Sequence, residues 1–271
     1  MRSICASALM LLLTLPFAKA ADLAARMPLK APAPALLESW TGFYLGGELG
    51  ARLANTNWTS TGLQDPIDPA TSARFLPQGN PANFDSTGFR GGVYAGYNWQ
   101  VSPAWLLGVE GDIAWGNNSK TRPGIPGTWL AVQNGSPIIG NDSSTVKFGG
   151  DGSIRGRAGW LMTPSVLLFG AGGVAWQQVS LTANCNATGP WCFPSMLETY
   201  SKVATGYTVG GGIEGKFGKW LARLEYRFAD FGRISHEFFP PGPATFNAIW
   251  MNESVRTHTV SAGLAYSFGA M

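Results

Sequence analysis

The stretch from Thr205 to Phe228 alternates between two kinds of side chain, in two runs separated by a tight turn at Gly218. One face is aliphatic with aromatics toward its ends, and the other carries glycines and charges of both signs: Tyr207, Val209, Ile213, Trp220, Leu224 and Phe228 against Gly210, Gly212, Glu214, Arg223, Glu225 and Arg227. A period of two residues on both sides of a turn predicts a β-hairpin. Strands of about 9–11 residues with an apolar outer face, aromatic ends and a polar inner face are typical of a transmembrane β-barrel.

The same alternation recurs along the chain and gives eight predicted strands. They begin near Phe43, Phe89, Trp105, Ser153, Leu167, Thr205, Trp220 and Thr259. Short turns alternate with long polar stretches that we interpret as loops, over 55–87, over 117–146, around the cysteines and over 233–255. An even strand number with this alternation is the layout of outer-membrane barrels, whose short turns are periplasmic and whose long loops are extracellular. The predicted fold is all-β, an eight-stranded antiparallel up-and-down transmembrane barrel with both termini in the periplasm.

The fifth predicted strand is apolar on both faces, so its register stays open. Either Leu168, Val174 and Trp176 point outward, or Leu167, Phe169 and Ala171 do.

Aromatic residues cluster at both ends of the predicted strands. Near the short turns or the termini they are Phe43, Trp99, Trp105, Trp160, Trp220, Tyr266 and Phe268, and at the opposite ends they are Phe89, Trp115, Tyr207 and Phe228. Two aromatic girdles mark the two membrane interfaces of a barrel.

The composition agrees with such a barrel. Charged residues make up 13% of the chain, against about 25% in a typical soluble domain, yet the mean hydropathy is only +0.03. Alternating faces account for both values. The net charge of +3 is scattered, with no basic cluster, so we predict no nucleic-acid partner.

The N-terminal residues have the pattern of an export signal. Arg2 precedes an apolar run from Ile4 to Phe17, and small residues follow, so we predict a signal peptide over 1–20 with cleavage between Ala20 and Ala21. Residues 21–39 are rich in Ala and Pro, which predicts a periplasmic linker. The barrel domain is expected over 40–271.

Cys185 and Cys192 remain in the mature chain, close together among turn-forming residues. In an oxidising compartment such a pair predicts a disulfide.

Charged residues are predicted to face the barrel interior on most strands. The set is Glu48, Arg90, Glu110, Asp112, Arg155, Arg157, Glu214, Arg223, Glu225 and Arg227, with Arg52 and Lys216 on the same faces. The interior of an eight-stranded barrel is only wide enough to be filled by side chains, so these charges should pair as a lumen ion-pair network. Carboxylates such as Glu110 and Asp112 can also mark a general acid and base, but the arginines favour pairing. We predict no enzyme activity, no metal and no cofactor.

Three functions fit this pattern. The first is a mainly structural role in the envelope. The second is weak porin activity for small solutes, through space left by inward glycines: Gly46, Gly50, Gly92, Gly96, Gly210 and Gly212. The third is surface binding or adhesion through the long stretches, which carry aromatics such as Trp58, Phe84 and Phe238.

A soluble exported lipocalin-like barrel is the alternative fold. It would turn the charges to water and the apolar residues toward a ligand. Because the polar face is rich in glycine and balanced in sign, we favour the confined interior of a membrane barrel.

Several motifs carry a family resemblance: Trp40 to Gly47, Tyr94 to Trp99, Gly108 to Asp112, Ile154 to Gly159, Gly170 to Ala175 and Arg223 to Phe228. They resemble the small outer-membrane β-barrels of α-proteobacteria, which are grouped in the porin family and have an OmpA-like barrel domain. The resemblance implies location in the outer membrane, with membrane lipid, lipopolysaccharide and the outer-membrane assembly machinery as partners. Such barrels usually end on an aromatic residue, whereas here Gly269, Ala270 and Met271 follow Phe268.

Overall fold

The computed structural model describes residues 39–63, 81–127, 131–133, 136–138, 142–186, 195–240 and 248–269. The predicted signal peptide, its Ala20–Ala21 cleavage site and residues 21–38 of the predicted linker lie outside these ranges, as does Cys192. Among the described residues, no helix is long and apolar enough to cross a membrane.

Eight long strands form a closed ring in the described part of the chain. They are β1 (Gly42–Leu63), β2 (Ser86–Gln100), β3 (Trp105–Gly116), β4 (Ser143–Thr163), β5 (Val166–Cys185), β6 (Met196–Phe217), β7 (Trp220–Phe238) and β8 (Ile249–Ser267). Each strand pairs antiparallel with its neighbours in sequence, and β8 pairs with β1 to close the barrel. The predicted eight-stranded antiparallel up-and-down barrel is confirmed.

Four shorter strands lie between the long ones in the described ranges. Ala82–Asn83 pairs with β1, Ser119–Pro123 pairs with β4, and Ala131–Gln133 forms a separate two-stranded sheet with Ser136–Ile138.

The two faces of the barrel wall differ as the alternation predicts. Outward positions carry exposed apolar side chains, such as Leu49 at 61% and Leu224 at 55% exposure, while inward Glu110 and Arg223 are buried. In β5, Leu168 and Val174 point outward and Leu167 and Phe169 point inward, which fixes the register left open above. The soluble lipocalin-like alternative is wrong, because it requires the opposite arrangement.

Aromatic side chains ring the barrel at two levels. Near the short turns, Trp220 lies 5.4 Å from Tyr266 and Phe43 lies 5.7 Å from Phe268, measured between ring centroids. All eleven residues expected in the girdles lie within or beside a strand, and those with large exposed rings include Phe89, Trp115 and Tyr207. We call the ring of Phe89, Trp115, Tyr207 and Phe228 the outer girdle.

The strands are longer than the sequence alone predicts. The stretches interpreted as loops contain the ends of β1, β4, β7 and β8, and β5 and β6 run together as far as the pair Cys185–Met196. The reason is that polarity reverses beyond the outer girdle while the strands continue. In β5, for example, Val179 and Leu181 are buried inside, and Ser180 and Thr182 point outward.

Beyond the outer girdle the wall divides into two sheets, which we call the cap. Backbone pairing between β6 and β7 ends at Tyr207 and Asp230, so β7, β8, β1 and Ala82–Asn83 form one sheet. Ser119–Pro123, β4, β5 and β6 form the other. Their inward side chains make one buried apolar cluster, in which Trp58 stacks on Phe238 at 5.4 Å. The interior of the cap is therefore packed like a β-sandwich core.

Side chains connect the edges of the two sheets. On one side Glu198 of β6 lies 2.8 Å from His236 Nε2 of β7 and also accepts a hydrogen bond from the Phe239 backbone N–H. On the other side Arg122 donates to the carbonyl of Asn83 at 2.6 Å. Cys185, buried in the same cluster, is disulfide-bonded. Its predicted pairing with Cys192 remains a prediction.

Candidate functional site

The middle of the barrel holds a network of buried charges. Six guanidinium groups face six carboxylates: Arg52, Arg90, Arg155, Arg157, Arg223 and Arg227 with Glu48, Glu110, Asp112, Asp151, Glu214 and Glu225. Six positive charges minus six negative charges leave this ion-pair network neutral. Strands β4 and β7 contribute three of these charges each, and β1 and β3 contribute two each. Strands β2 and β6 contribute one each, and none of the twelve lies on β5 or β8.

Strand geometry places these residues in contact. Side chains at every second position share a face, so Arg223, Glu225 and Arg227 follow one another along the inner side of β7. Pairing between strands then sets Glu110 opposite Arg155 and Glu214 opposite Arg223. Opposite charges thus meet as a direct result of period and register.

Glu110 is the centre of the network. Its Oε1 lies 2.7 Å from Arg155 Nη2, and its Oε2 lies 2.5 Å from Arg223 Nη2. The Tyr44 hydroxyl donates a further hydrogen bond to Oε2 at 2.7 Å. Glu225 continues the chain of contacts, since it binds Arg155 and lies 3.1 Å from Arg223. One carboxylate therefore ties together β1, β3, β4 and β7.

A second centre lies nearer the outer girdle. Asp112 binds Arg90 and Arg227, each at 2.8 Å, and accepts a hydrogen bond from Ser153. Arg90 also binds Glu48 on β1 and reaches Asp151 on β4. These contacts cross the interior as well as joining neighbouring strands.

Inward glycines make room for the larger side chains of the network. A Cβ built on Gly96 would collide with the Tyr44 hydroxyl, and one on Gly263 would come within 2.9 Å of the Tyr94 hydroxyl. The guanidinium of Arg223 lies 3.9 Å from the centroid of the Tyr94 ring. At Gly96, one of the glycines that suggested a pore, the space is occupied by Tyr44, and at Gly263 it is occupied by Tyr94 and Arg223.

A layer of apolar residues closes the interior at the short-turn end. Trp40, Leu106, Leu167 and Leu221 are buried in one cluster there, and the Trp40 indole N–H donates to the Pro164 carbonyl at 2.9 Å. We call this cluster the base layer. Since the cap cluster lies at the other end, the network is enclosed between two apolar layers.

The structure brings together all ten charged residues that the sequence analysis placed in the network. Arg52, also expected on the inward faces, joins them, and the structure adds Asp151 and the hydroxyls of Tyr44 and Ser153. Asp151 was missed because Gly149 and Gly150 obscured the continuation of β4, although it lies two residues before Ser153 on the inward face. Lys216, expected on the same face, lies by the base layer, where its Nζ is 5.9 Å from the Trp40 ring centroid.

The paired charges hold neighbouring strands together. Each network carboxylate has an arginine partner, and the side chains are buried or nearly so. Among the described residues, no group of three or more His, Cys, Asp or Glu side chains could hold a metal ion.

Comparison with known proteins gives a consistent set of similarities. Residues 8–268 match the family model described as outer membrane protein beta-barrel domain. A 31 kDa outer-membrane immunogenic protein of Brucella melitensis is 28% identical over 255 residues, which cover 93% of each chain. A 22 kDa outer membrane protein of Rhizobium leguminosarum bv. viciae is 30% identical over 198 residues, covering 71% of this chain and 65% of that protein. The crystal structure of OprG from Pseudomonas aeruginosa is 10% identical, with a TM-score of 0.48, and the match covers 85% of this chain and 97% of that one.

Replacing a network carboxylate should destabilise the barrel far more than changing its outward neighbour. Glu225→Leu leaves Arg155 and Arg223 short of a partner, and breaking a buried pair costs about 3–5 kcal/mol. The control Leu224→Ile alters only an exposed apolar side chain. Urea titration in lipid vesicles, read as the folded fraction in unheated gel electrophoresis, measures both. Equal midpoints for the two variants would contradict the assignment of Glu225 to the interior.

Proposed function

The chain belongs to the outer-membrane protein β-barrel family, and we propose that it is chiefly a structural protein of the envelope, with a sealed barrel and an exposed cap. The observation that carries this proposal is the enclosed ion-pair network. A neutral, internally paired network between two apolar layers fixes the wall and offers no charged path to a solute.

Weak porin activity is the competing function, and the packing argues against it. A pore needs a continuous column of water, whereas the base layer and the cap cluster fill the interior at both ends with buried apolar side chains. A hydrophobic constriction excludes ions by dewetting. The inward glycines at positions 96 and 263 lie against tyrosine hydroxyls, which fill the space beside them. We therefore assign the barrel to mechanical stability of the membrane rather than to transport.

Single-channel recording tests the sealed barrel. The purified protein, refolded into a planar bilayer and shown to be inserted by its protease resistance, should give no conductance steps above the protein-free baseline. A general porin in the same bilayer serves as the positive control. Reproducible steps that change in size with Arg155→Gln would overturn the proposal, because they would show that solute passes beside the network.

The cap gives the protein a second proposed role, as a rigid surface presented to the exterior. Beyond the outer-girdle pairs Phe89–Ala51 and Phe228–His258, β1 continues to Leu63 and β8 begins at Ile249, and the packed core of the cap holds the connecting segments in place. The relatives from Brucella are described as outer-membrane immunogenic proteins, which fits a family exposed at the cell surface. Binding or adhesion through the cap would use its outward polar side chains, since Trp58, Phe84 and Phe238 are buried.

The proposed partners follow from an orientation in which the cap faces the cell exterior. We propose that lipid covers the apolar belt and that lipopolysaccharide surrounds the cap side, where Lys120 and Lys147 are exposed. The assembly machinery would meet β8 at Phe268, whose backbone N–H donates to the Phe43 carbonyl at 2.8 Å as the barrel closes. Both termini would then lie in the periplasm.

Epitope tags test the orientation. A tag inserted between Pro243 and Ala244, in the connection between β7 and β8, should bind antibody on intact cells. A matched tag between Ala31 and Pro32 should bind only after the outer membrane is permeabilised. Labelling of the second tag but not the first on intact cells would reverse the orientation.

A further inference from the structure

A carboxyl group without a partner lies inside the cap. Glu253 of β8 is 0% exposed, and neither of its carboxyl oxygens has a hydrogen-bond partner. It lies five residues from His258, which is paired with Phe228 of the outer girdle. Glu253 is therefore beyond the membrane-spanning part of β8, and the ion-pair network does not include it.

The neighbours of Glu253 in the sheet are mostly apolar. Trp58 of β1 and Ile234 of β7 stand directly opposite it on the two adjacent strands. Both are fully or almost fully buried, and the Trp58 indole N–H also lacks an acceptor. The nearby Thr56 hydroxyl donates to the Phe84 carbonyl at 2.9 Å.

Charged groups on the surrounding strands are occupied elsewhere or exposed. The titratable and charged residues on the inward faces are Arg52 on β1, Asp151 on β4, Glu198, Tyr200 and Lys202 on β6, and His236 on β7. Arg52 binds Asp151, while His236 contacts Glu198 and stacks on Tyr200 at 3.8 Å. Lys202 is exposed. None of them forms a hydrogen bond with Glu253.

An ionised carboxylate in this position would be strongly disfavoured. Burial without a compensating partner penalises the charged form, so the group holds its proton to a higher pH. Burial raises the pKa of Glu253 from 4.5 to about 8, against a smaller opposing effect of the Thr56 hydroxyl. While the cap is packed, the carboxylic acid is accordingly mostly neutral below about pH 8.

We propose that the protonation state of Glu253 controls whether the two sheets of the cap stay packed together. The neutral acid allows the apolar cluster to close around Trp58. Loss of the proton creates a charge that only water can stabilise here, so the cap loosens while the ion-pair network and the membrane-spanning wall remain intact. This regulation is independent of whether the barrel conducts.

The direction of the pH dependence follows from the pKa difference. The closed cap binds Glu253's proton more tightly than an opened, solvated cap does. The stability that this proton gives the closed cap is fully present below about pH 4.5 and is lost as pH rises toward the closed-state value of about 8. The ratio of open to closed cap should rise about tenfold per pH unit within that window and level off above it.

Hydrogen exchange measured by mass spectrometry tests this control of cap opening by Glu253, in the full-length protein in lipid vesicles. Exchange of peptides from 249–257 should rise faster with pH in the unmodified protein than in Glu253→Gln, with their ratio growing about tenfold per pH unit between pH 6 and 8. The intrinsic chemical effect of pH on exchange cancels in this ratio. Peptides from the membrane-spanning part of β1 should show a constant ratio.

Two further variants keep the test decisive. Glu253→Met replaces the carboxyl with an apolar side chain and should match Glu253→Gln in its pH dependence, which guards against a local effect of the amide. His236→Gln should retain the dependence of the unmodified protein. A pH dependence that persists in both Glu253 variants, or that disappears in His236→Gln, would overturn the proposal.

Discussion

Charges confined to a narrow interior must pair with one another, and this constraint determines the membrane-spanning part of the protein. The contact between Glu110 and Arg223 is its clearest instance, with the shared carboxylate also held by Arg155 and Tyr44. A buried ion pair is not stabilising merely because it is charged, since removing both groups from water costs several kcal/mol each. Here the pairs select one register for the strands, because a slip by one residue would turn the charges toward lipid.

The two apolar layers complete the network's effect. Water entering from either end would weaken the charge pairs by raising the local dielectric constant. Trp40 and its neighbours exclude water at the short-turn end, and the cap cluster around Trp58 does so at the other. The same packing that strengthens the network also closes the path that a solute would need. Structural strength and lack of conduction therefore have one physical origin.

Much of the membrane-spanning part was predictable because its alternation is strong. Leucine and valine toward lipid against arginine and glutamate inside fixed the faces, the strand number and the ten predicted network residues. The cap was not predictable in the same way. In β1, Leu49 points outward and Arg52 inward, but beyond the girdle Trp58 points inward and Asn57 outward. The geometric period continues while the polarity reverses, so the strand resembles a loop in sequence. Glu253 was missed for this reason, whereas Asp151 was missed because Gly149 and Gly150 precede it.

The measurement that tests the central claim most directly is a double-mutant cycle on Glu110 and Arg223. The free energy of unfolding in lipid vesicles would be compared for the unmodified protein, Glu110→Gln, Arg223→Met and the double variant. If the two groups pair in a dry interior, the double variant should be less destabilised than the sum of the single changes, with a coupling energy of about 2–3 kcal/mol. Additive effects would contradict the account, because they would mean that water, and not the paired network, satisfies the charges inside the barrel.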